Sequence, residues 1–191
     1  GFQLRHHVGG FFFFRHREQR KRLCRLDCKE FVQLHRNSLP MTHLKVGDLA
    51  PEFSGLDQHG IEISMDDFVG KRIVLYFYPK DDTPGCTAEA CSFRDGYQDL
   101  LDAGFAVVGV SPDPVKKHAK FVEKYDLPFS LIADEDRKVI DAYGVWGRKK
   151  FMGREYDGVY RETFVIGTDG RIERILDKVD TKDSAGQILN G

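Results

Sequence analysis

The sequence predicts an α/β protein: a central mixed sheet flanked by helices, with an N-terminal β-hairpin. Three observations predict it. Short apolar runs rich in β-branched and aromatic residues, Ile73–Tyr78, Phe105–Val110 and Pro128–Ile132, read as buried strands. Each is followed by residues at helical spacing. Turn signals at Asp57-Gln58-His59-Gly60 and Gly167-Thr168-Asp169-Gly170 each separate two short strand-like segments. Alternating strands and helices imply a partly parallel sheet covered on both faces, and the hairpins add antiparallel strands.

The 191 residues suffice for one ordinary domain and an appendage. The net charge of −1 gives no whole-chain reason to expect nucleic acid, yet it hides an asymmetry. Residues 1–40 carry nine Lys/Arg against three Asp/Glu, and residues 41–191 carry twenty against twenty-seven. Residues 1–40 are read as a basic extension, disordered or lying upstream of a natural start at Met41. The run Arg15–Arg22 would otherwise suit polyanions or a targeting segment. Phe11–Phe14 is far too short for a membrane span. Cys24 and Cys28 with His35 lack a fourth ligand at metal-site spacing. Four cysteines, two of them in the extension, do not make a secreted disulfide framework.

From Met41 to Gly191 a single domain is expected. Phe53–Leu56 and Ile61–Ser64 form the first hairpin, and Asp66–Gly70 a short turn or helical piece. After the Ile73 strand, Cys86, Ala90, Phe93, Tyr97 and Leu101 trace one face of a helix running to Ala103-Gly104. Thr83 suits its N-cap and Pro84 its first position. Ser111 or Asp113 would cap the next helix, whose inner face is Val115, Ala119, Val122 and Tyr125 or Phe121. His118, in a Lys-rich stretch of that helix, reads as a solvated surface residue, and His59 sits in a turn. Asp134 caps a short helix through Val139, Ile140 and Tyr143, which Gly144 stops. Thr163–Ile166 and Arg171–Leu176 form the closing hairpin, and Thr181 starts a last helix.

The chemistry concentrates in Pro79-Lys80-Asp81-Asp82-Thr83-Pro84-Gly85-Cys86-Thr87-Ala88-Glu89-Ala90-Cys91. Cys86 falls in the first turn of a helix that leaves a core strand. Free backbone N–H groups and the positive end of the helix dipole favour a thiolate there, the reactive form of the group. A strand followed by such a helix is the arrangement of the thioredoxin-like fold. No G-x-G-x-x-G, P-loop or H-E-x-x-H occurs, so no cofactor or metal is indicated.

Pro79-x-x-x-Thr83-x-x-Cys86 resembles the peroxidatic motif of the peroxiredoxins. The longer Asp82-Thr83-Pro84-Gly85-Cys86-Thr87-x-x-x-Cys91 is similar to the bacterioferritin comigratory protein, or peroxiredoxin Q, branch. The resemblance runs in order through Gly47-Asp48-x-Ala50-Pro51-x-Phe53, Tyr143-Gly144-Val145-Trp146-Gly147, Arg161-x-Thr163-Phe164-Val165-Ile166 and Lys178-Val179-Asp180-Thr181-Lys182. It covers about residues 44–189 and leaves residues 1–40 outside.

The resemblance implies a thiol-dependent peroxidase acting on hydrogen peroxide and organic hydroperoxides. Cys86 would be the nucleophile, oxidised to a sulfenic acid. Thr83 would hydrogen-bond sulfur and peroxide, Pro84 would shield the sulfur, and Arg161 would favour the thiolate and orient the peroxide. Glu89 matches a polar position that holds the arginine; an exposed helix carboxylate is the competing reading.

Cys91 would resolve the sulfenic acid as an intramolecular disulfide, reopened by thioredoxin or a glutaredoxin-type reductant; a structural cysteine is the alternative. Residues five apart on a helix lie roughly 9 Å apart at Cα and about 140° around the axis. A disulfide needs Cα atoms within about 7 Å. Resolution therefore requires the helix to unwind.

The other function class is a thiol–disulfide oxidoreductase or redox-sensing adaptor on the same fold. Such proteins usually carry Cys-x-x-Cys, whereas here four residues separate the cysteines and Thr83 precedes them. Trp146 beside Arg148-Lys149-Lys150 is thin support for nucleic acid and better suits the rim of the pocket or a reductant-docking surface. The expected setting is cytoplasmic, as a monomer or weak dimer, with neither nucleic acid nor membrane as partner.

Overall fold

The computed structural model describes residues 43–151 and 153–191. The readings for Arg15–Arg22, Cys24, Cys28 and His35 fall outside them. The first hairpin forms as expected from β1 (Ser54–Leu56) and β2 (Glu62–Ser64), paired antiparallel. Asp57 closes its turn by accepting the N–H groups of His59 and Ile61, and Gly60 supplies the positive φ. A 3₁₀ turn over Met65–Phe68 follows, its entry fixed by the Ser64 N–H on Asp67.

The central strands are β3 (Arg72–Phe77), β4 (Phe105–Ser111) and β5 (Ser130–Ala133), parallel to one another. Helices connect them, as a parallel pairing requires. β8 (Glu162–Ile166) runs antiparallel against β3, with Tyr76 opposite Thr163 and Phe77 opposite Glu162. β9 (Ile172–Leu176) closes the sheet, giving seven strands in the order β2-β1-β5-β4-β3-β8-β9.

The period-two alternation of β3 separates two cores. Val74, Tyr76 and Tyr78 join Phe93, Leu100, Phe121, Phe129 and Ile188 on one face. Ile73, Leu75 and Phe77 join Val110, Ile140, Tyr143 and Phe164 on the other.

The helix after β3 differs from expectation. It is two helices, α1 (Pro84–Asp95) and α2 (Tyr97–Asp102), broken at Gly96. A Cβ at Gly96 would lie 2.6 Å from the Cβ of Ala185, so a close helix crossing accounts for the glycine. Ala185 belongs to α5 (Ser184–Leu189), the last helix, which begins later than Thr181. The break also shifts the helical phase: Leu100 is fully buried, while Leu101, expected inside, is exposed.

The helix α3 (Val115–Tyr125) holds two corrections. Pro114 occupies its N-cap position, and neither Ser111 nor Asp113 caps it. Ser111 Oγ instead accepts the Asp113 N–H, and Asp113 accepts the N–H of Asp81. His118 is not solvated: its side chain is completely buried against Asp81. The Lys-rich composition misleads because only the outward positions of an amphipathic helix are Lys; His118 lies three residues after Val115 and three before Phe121, on the inner face.

The helix α4 (Lys138–Ala142) starts later than Asp134, yet Asp134 still accepts its Ile140 N–H at 2.8 Å. A two-stranded ribbon, β6 (Trp146–Phe151) with β7 (Arg154–Val159), follows and was not expected. Its middle is dense in charge and lacks apolar alternation, so no period-two signal marks it. Among the described residues no helix is long and apolar enough to cross a membrane.

Candidate active site

Strand β3 ends at Phe77, and Tyr78–Thr83 turn the chain into α1. Thr83 takes the N-cap position with extended backbone and Pro84 takes N1. The Thr83 hydroxyl does not cap the helix; it donates to the Lys80 carbonyl at 3.0 Å. The unpaired N–H groups of the first turn lie at the end of the helix that carries Cys86. Cys86 is the third residue of α1 and is 1% exposed, a free thiol.

Arg161 reaches this sulfur from the leading end of the neighbouring strand, β8 being paired directly with β3. It sits in the two-residue link between β7 and β8. Its Nη2 donates to Cys86 Sγ at 3.2 Å, and its Nη1 pairs with Glu89 Oε2. Glu89, one turn after Cys86, has a fully buried side chain, so the exposed-carboxylate reading is excluded. A Cβ at Gly85 would come within 3.3 Å of Arg161 Nη2, a tight approach that the glycine relieves.

Burial acts first on this charge pair. It pushes the Glu89 carboxyl up to about 7, against the opposing pull of Arg161. Burial also opposes the charge on Arg161, but Glu89 and Cys86 outweigh it and hold the guanidinium above its ordinary value. Glu89 Oε1 and the Tyr76 hydroxyl are buried without a hydrogen-bond partner among the described residues. The sulfur therefore meets a fixed, permanently charged donor at the positive end of a twelve-residue helix. That arrangement can stabilise a thiolate and, equally, negative charge developing on an oxygen placed beside it.

Cys91 is half-buried on the same α1, free, and one and a half turns beyond Cys86. The intact helix holds the two sulfurs on different sides. Pro84 is exposed, two positions before the buried cysteine. Thus Arg161 joins Cys86 and Glu89, Thr83 and Pro84 precede the sulfur at the helix start, and Cys91 stands apart.

The sequence put the Trp146–Lys150 stretch at the pocket rim without singling out Lys149, which the unexpected ribbon brings near the charges of Arg161 and Cys86. Its Nζ donates to the Val159 carbonyl at 2.8 Å. Burial, then Arg161, lowers its pKa, with Cys86 acting in the opposite sense. Trp146 is half-buried under the guanidinium of Arg137, 4.4 Å from its ring centre.

Comparison with known proteins places the chain in a family. The AhpC/TSA family profile matches residues 46–175. Peroxiredoxin Bcp of Escherichia coli K12 is 47% identical over 150 residues, which span 78% of this chain and 96% of that protein. The crystal structure of peroxidoxin BcpB from Mycobacterium tuberculosis is 34% identical with a TM-score of 0.69, over 78% of this chain and 96% of that one. A structure of the Xanthomonas campestris bacterioferritin comigratory protein, described for its alkyl peroxide reduction activity, is 30% identical with a TM-score of 0.69, over 78% and 95% of the two chains. With the thioredoxin-like sheet, the buried cysteine and the arginine in place, the chain belongs to the AhpC/TSA family, in its Bcp and peroxiredoxin Q branch.

Proposed function

We propose that this protein is a thiol-dependent peroxidase in which Cys86 attacks hydrogen peroxide and organic hydroperoxides. The observation that carries the reading is the 3.2 Å contact from Arg161 Nη2 to a buried sulfur in the first turn of α1. The alkyl peroxide reduction described for the X. campestris relative supports the organic substrates.

In the first step the Cys86 thiolate attacks one peroxide oxygen. A sulfur–oxygen bond forms, the O–O bond breaks, and the leaving alkoxide or hydroxide takes a proton from water. The products are a sulfenic acid and an alcohol or water. Arg161 stabilises the charge as it moves from sulfur to oxygen, Thr83 accepts the peroxide O–H, and Pro84 limits water at the mouth.

In the second step Cys91 attacks the sulfenic sulfur, expelling water and forming a Cys86–Cys91 disulfide. Because the pair lies five positions apart on α1, the first turns of the helix unwind to permit it. A dithiol protein of the thioredoxin or glutaredoxin type then reduces the disulfide. All these groups come from one chain, so a monomer or weak dimer suffices, and the need for a dithiol reductant suits the cytoplasm.

The test is peroxide consumption by the reduced protein with thioredoxin and its reductase. Cys86→Ser is expected to abolish it. Consumption at the wild-type rate in that variant overturns the assignment.

A further inference from the structure

The side chains of His118 and Asp81 are both fully buried, and neither is needed for the chemistry above. His118 Nδ1 lies 2.7 Å from Asp81 Oδ2, and Nε2 lies 3.2 Å from the Ile132 carbonyl. A carbonyl only accepts, so Nε2 carries a hydrogen. One further proton then lies between Nδ1 and the carboxyl, and the pair is neutral as a unit. That neutrality is what lets it sit in the core.

Tyr78 donates to the other carboxyl oxygen of Asp81 at 2.7 Å. The Asp81 N–H donates to Asp113 Oδ2 at 2.6 Å, and the same oxygen accepts Lys117 Nζ at 2.6 Å. The grip continues on the next residue. Asp82 has φ +58° and its carboxylate accepts Lys124 Nζ at 2.8 and 2.9 Å and the Tyr125 hydroxyl at 2.7 Å. Three residues of α3, His118, Lys124 and Tyr125, thus hold two consecutive aspartates, Lys117 adds to the grip through Asp113, and the residue that follows the pair is Thr83. An apolar residue at position 118 would fill the core with less desolvation, so packing alone does not account for this arrangement.

We propose that His118, acting through Asp81, is a positioning residue for the Asp81–Pro84 loop, and that α3 clamps this loop so that Thr83 stays aligned over Cys86. The proposal rests on Cys86 being the peroxide-reacting group. The clamp also sets a limit to the unwinding of α1. The helix can open from Pro84 onward while Asp81 and Asp82 stay anchored.

The test compares two reactions of Cys86 in the reduced protein. Peroxide reduction needs both the thiolate and the aligned loop, whereas alkylation by iodoacetamide needs only an accessible thiolate. His118→Leu leaves Asp81 Oδ2 without its partner and is expected to lower the single-turnover peroxide rate constant about tenfold or more, because small misplacements are costly in an oriented reaction. Its alkylation rate should stay within about threefold. Asp81→Asn keeps a hydrogen-bonding partner for both Tyr78 and neutral His118, and should retain most of the peroxide rate.

A role confined to stability would move both reactions together or neither, and either result overturns the clamp. Should His118→Leu fail to fold, Lys124→Met/Tyr125→Phe decides, since it removes only the exposed grip on Asp82. It must show the same selective loss of peroxide rate, and unchanged peroxide kinetics there overturn the proposal. If wild-type protein alkylated at Cys86 still consumes peroxide, the error lies in the assignment of Cys86 instead.

Discussion

Arg161 and Cys86 are 75 positions apart in the chain, yet Nη2 of one stands 3.2 Å from Sγ of the other. Nothing local forces this contact. It exists because β3 and β8 are neighbours, with Arg161 immediately before β8 and the cysteine loop immediately after β3. The same guanidinium also reaches Glu89, so one side chain spans both ends of the first turn of α1.

Arg161→Met removes the charged donor but keeps a similar apolar stem. The single-turnover rate constant with peroxide should fall by about a hundredfold, the usual cost of losing one such donor. Arg161→Lys keeps the charge without the fork and should lie between. Equal rates for all three proteins would remove the arginine from the chemistry.

Cys91→Ser should complete one round of peroxide reduction and then stop with thioredoxin as reductant. Peptide mapping of oxidised wild type should find a Cys86–Cys91 bridge. Sustained thioredoxin-driven turnover in the variant would leave Cys91 with a structural role only.

Glu89 makes stability depend on pH in a direction that can be stated. Burial raises its carboxyl from 4.5 to about 7, so between those values the folded state binds more protons than the unfolded. Its contribution is complete below about 4.5 and is lost as pH rises through about 7. Urea midpoints of the reduced wild type should drop between about pH 5.5 and about pH 7.5. Glu89→Gln retains an acceptor for Arg161 and should flatten that drop; an unchanged slope would contradict the burial effect.

Gly96→Ala tests the crossing of α1–α2 with α5. Gly96 has φ −93°, so a Cβ meets no backbone objection, and an alanine there would gain about 0.4–1 kcal/mol from the unfolded chain. The contact at 2.6 Å with Ala185 Cβ, which has no rotamer to escape into, outweighs that gain. A net loss of about 1–2 kcal/mol in denaturant unfolding is expected.

The strand–helix alternation and the nucleophile loop were legible because they rest on short-range patterns: apolar runs, a helix-start Thr-Pro pair and a cysteine in the first turn. The partner of Cys86 could be named only through family resemblance, since its distance depends on strand order. His118 was misplaced because its Lys neighbours outweighed its position in the helical phase. The ribbon β6–β7 was silent because both its faces carry charge, and Lys149 was hidden with it. Glu89 stayed ambiguous from sequence because nothing local distinguishes a carboxylate buried by a distant arginine from one in water.

Since Tyr76 pairs with Thr163 and Phe77 with Glu162, nucleophile and guanidinium are registered to each other by the β3–β8 ladder and not by the ribbon that precedes Arg161. A slip of that ladder by one residue would turn Arg161 to the opposite face of the sheet. Insertions or deletions at the far tip of the ribbon leave the alignment untouched. The chain can therefore vary the far tip of that ribbon while the distance that matters is measured out by hydrogen bonds in the interior.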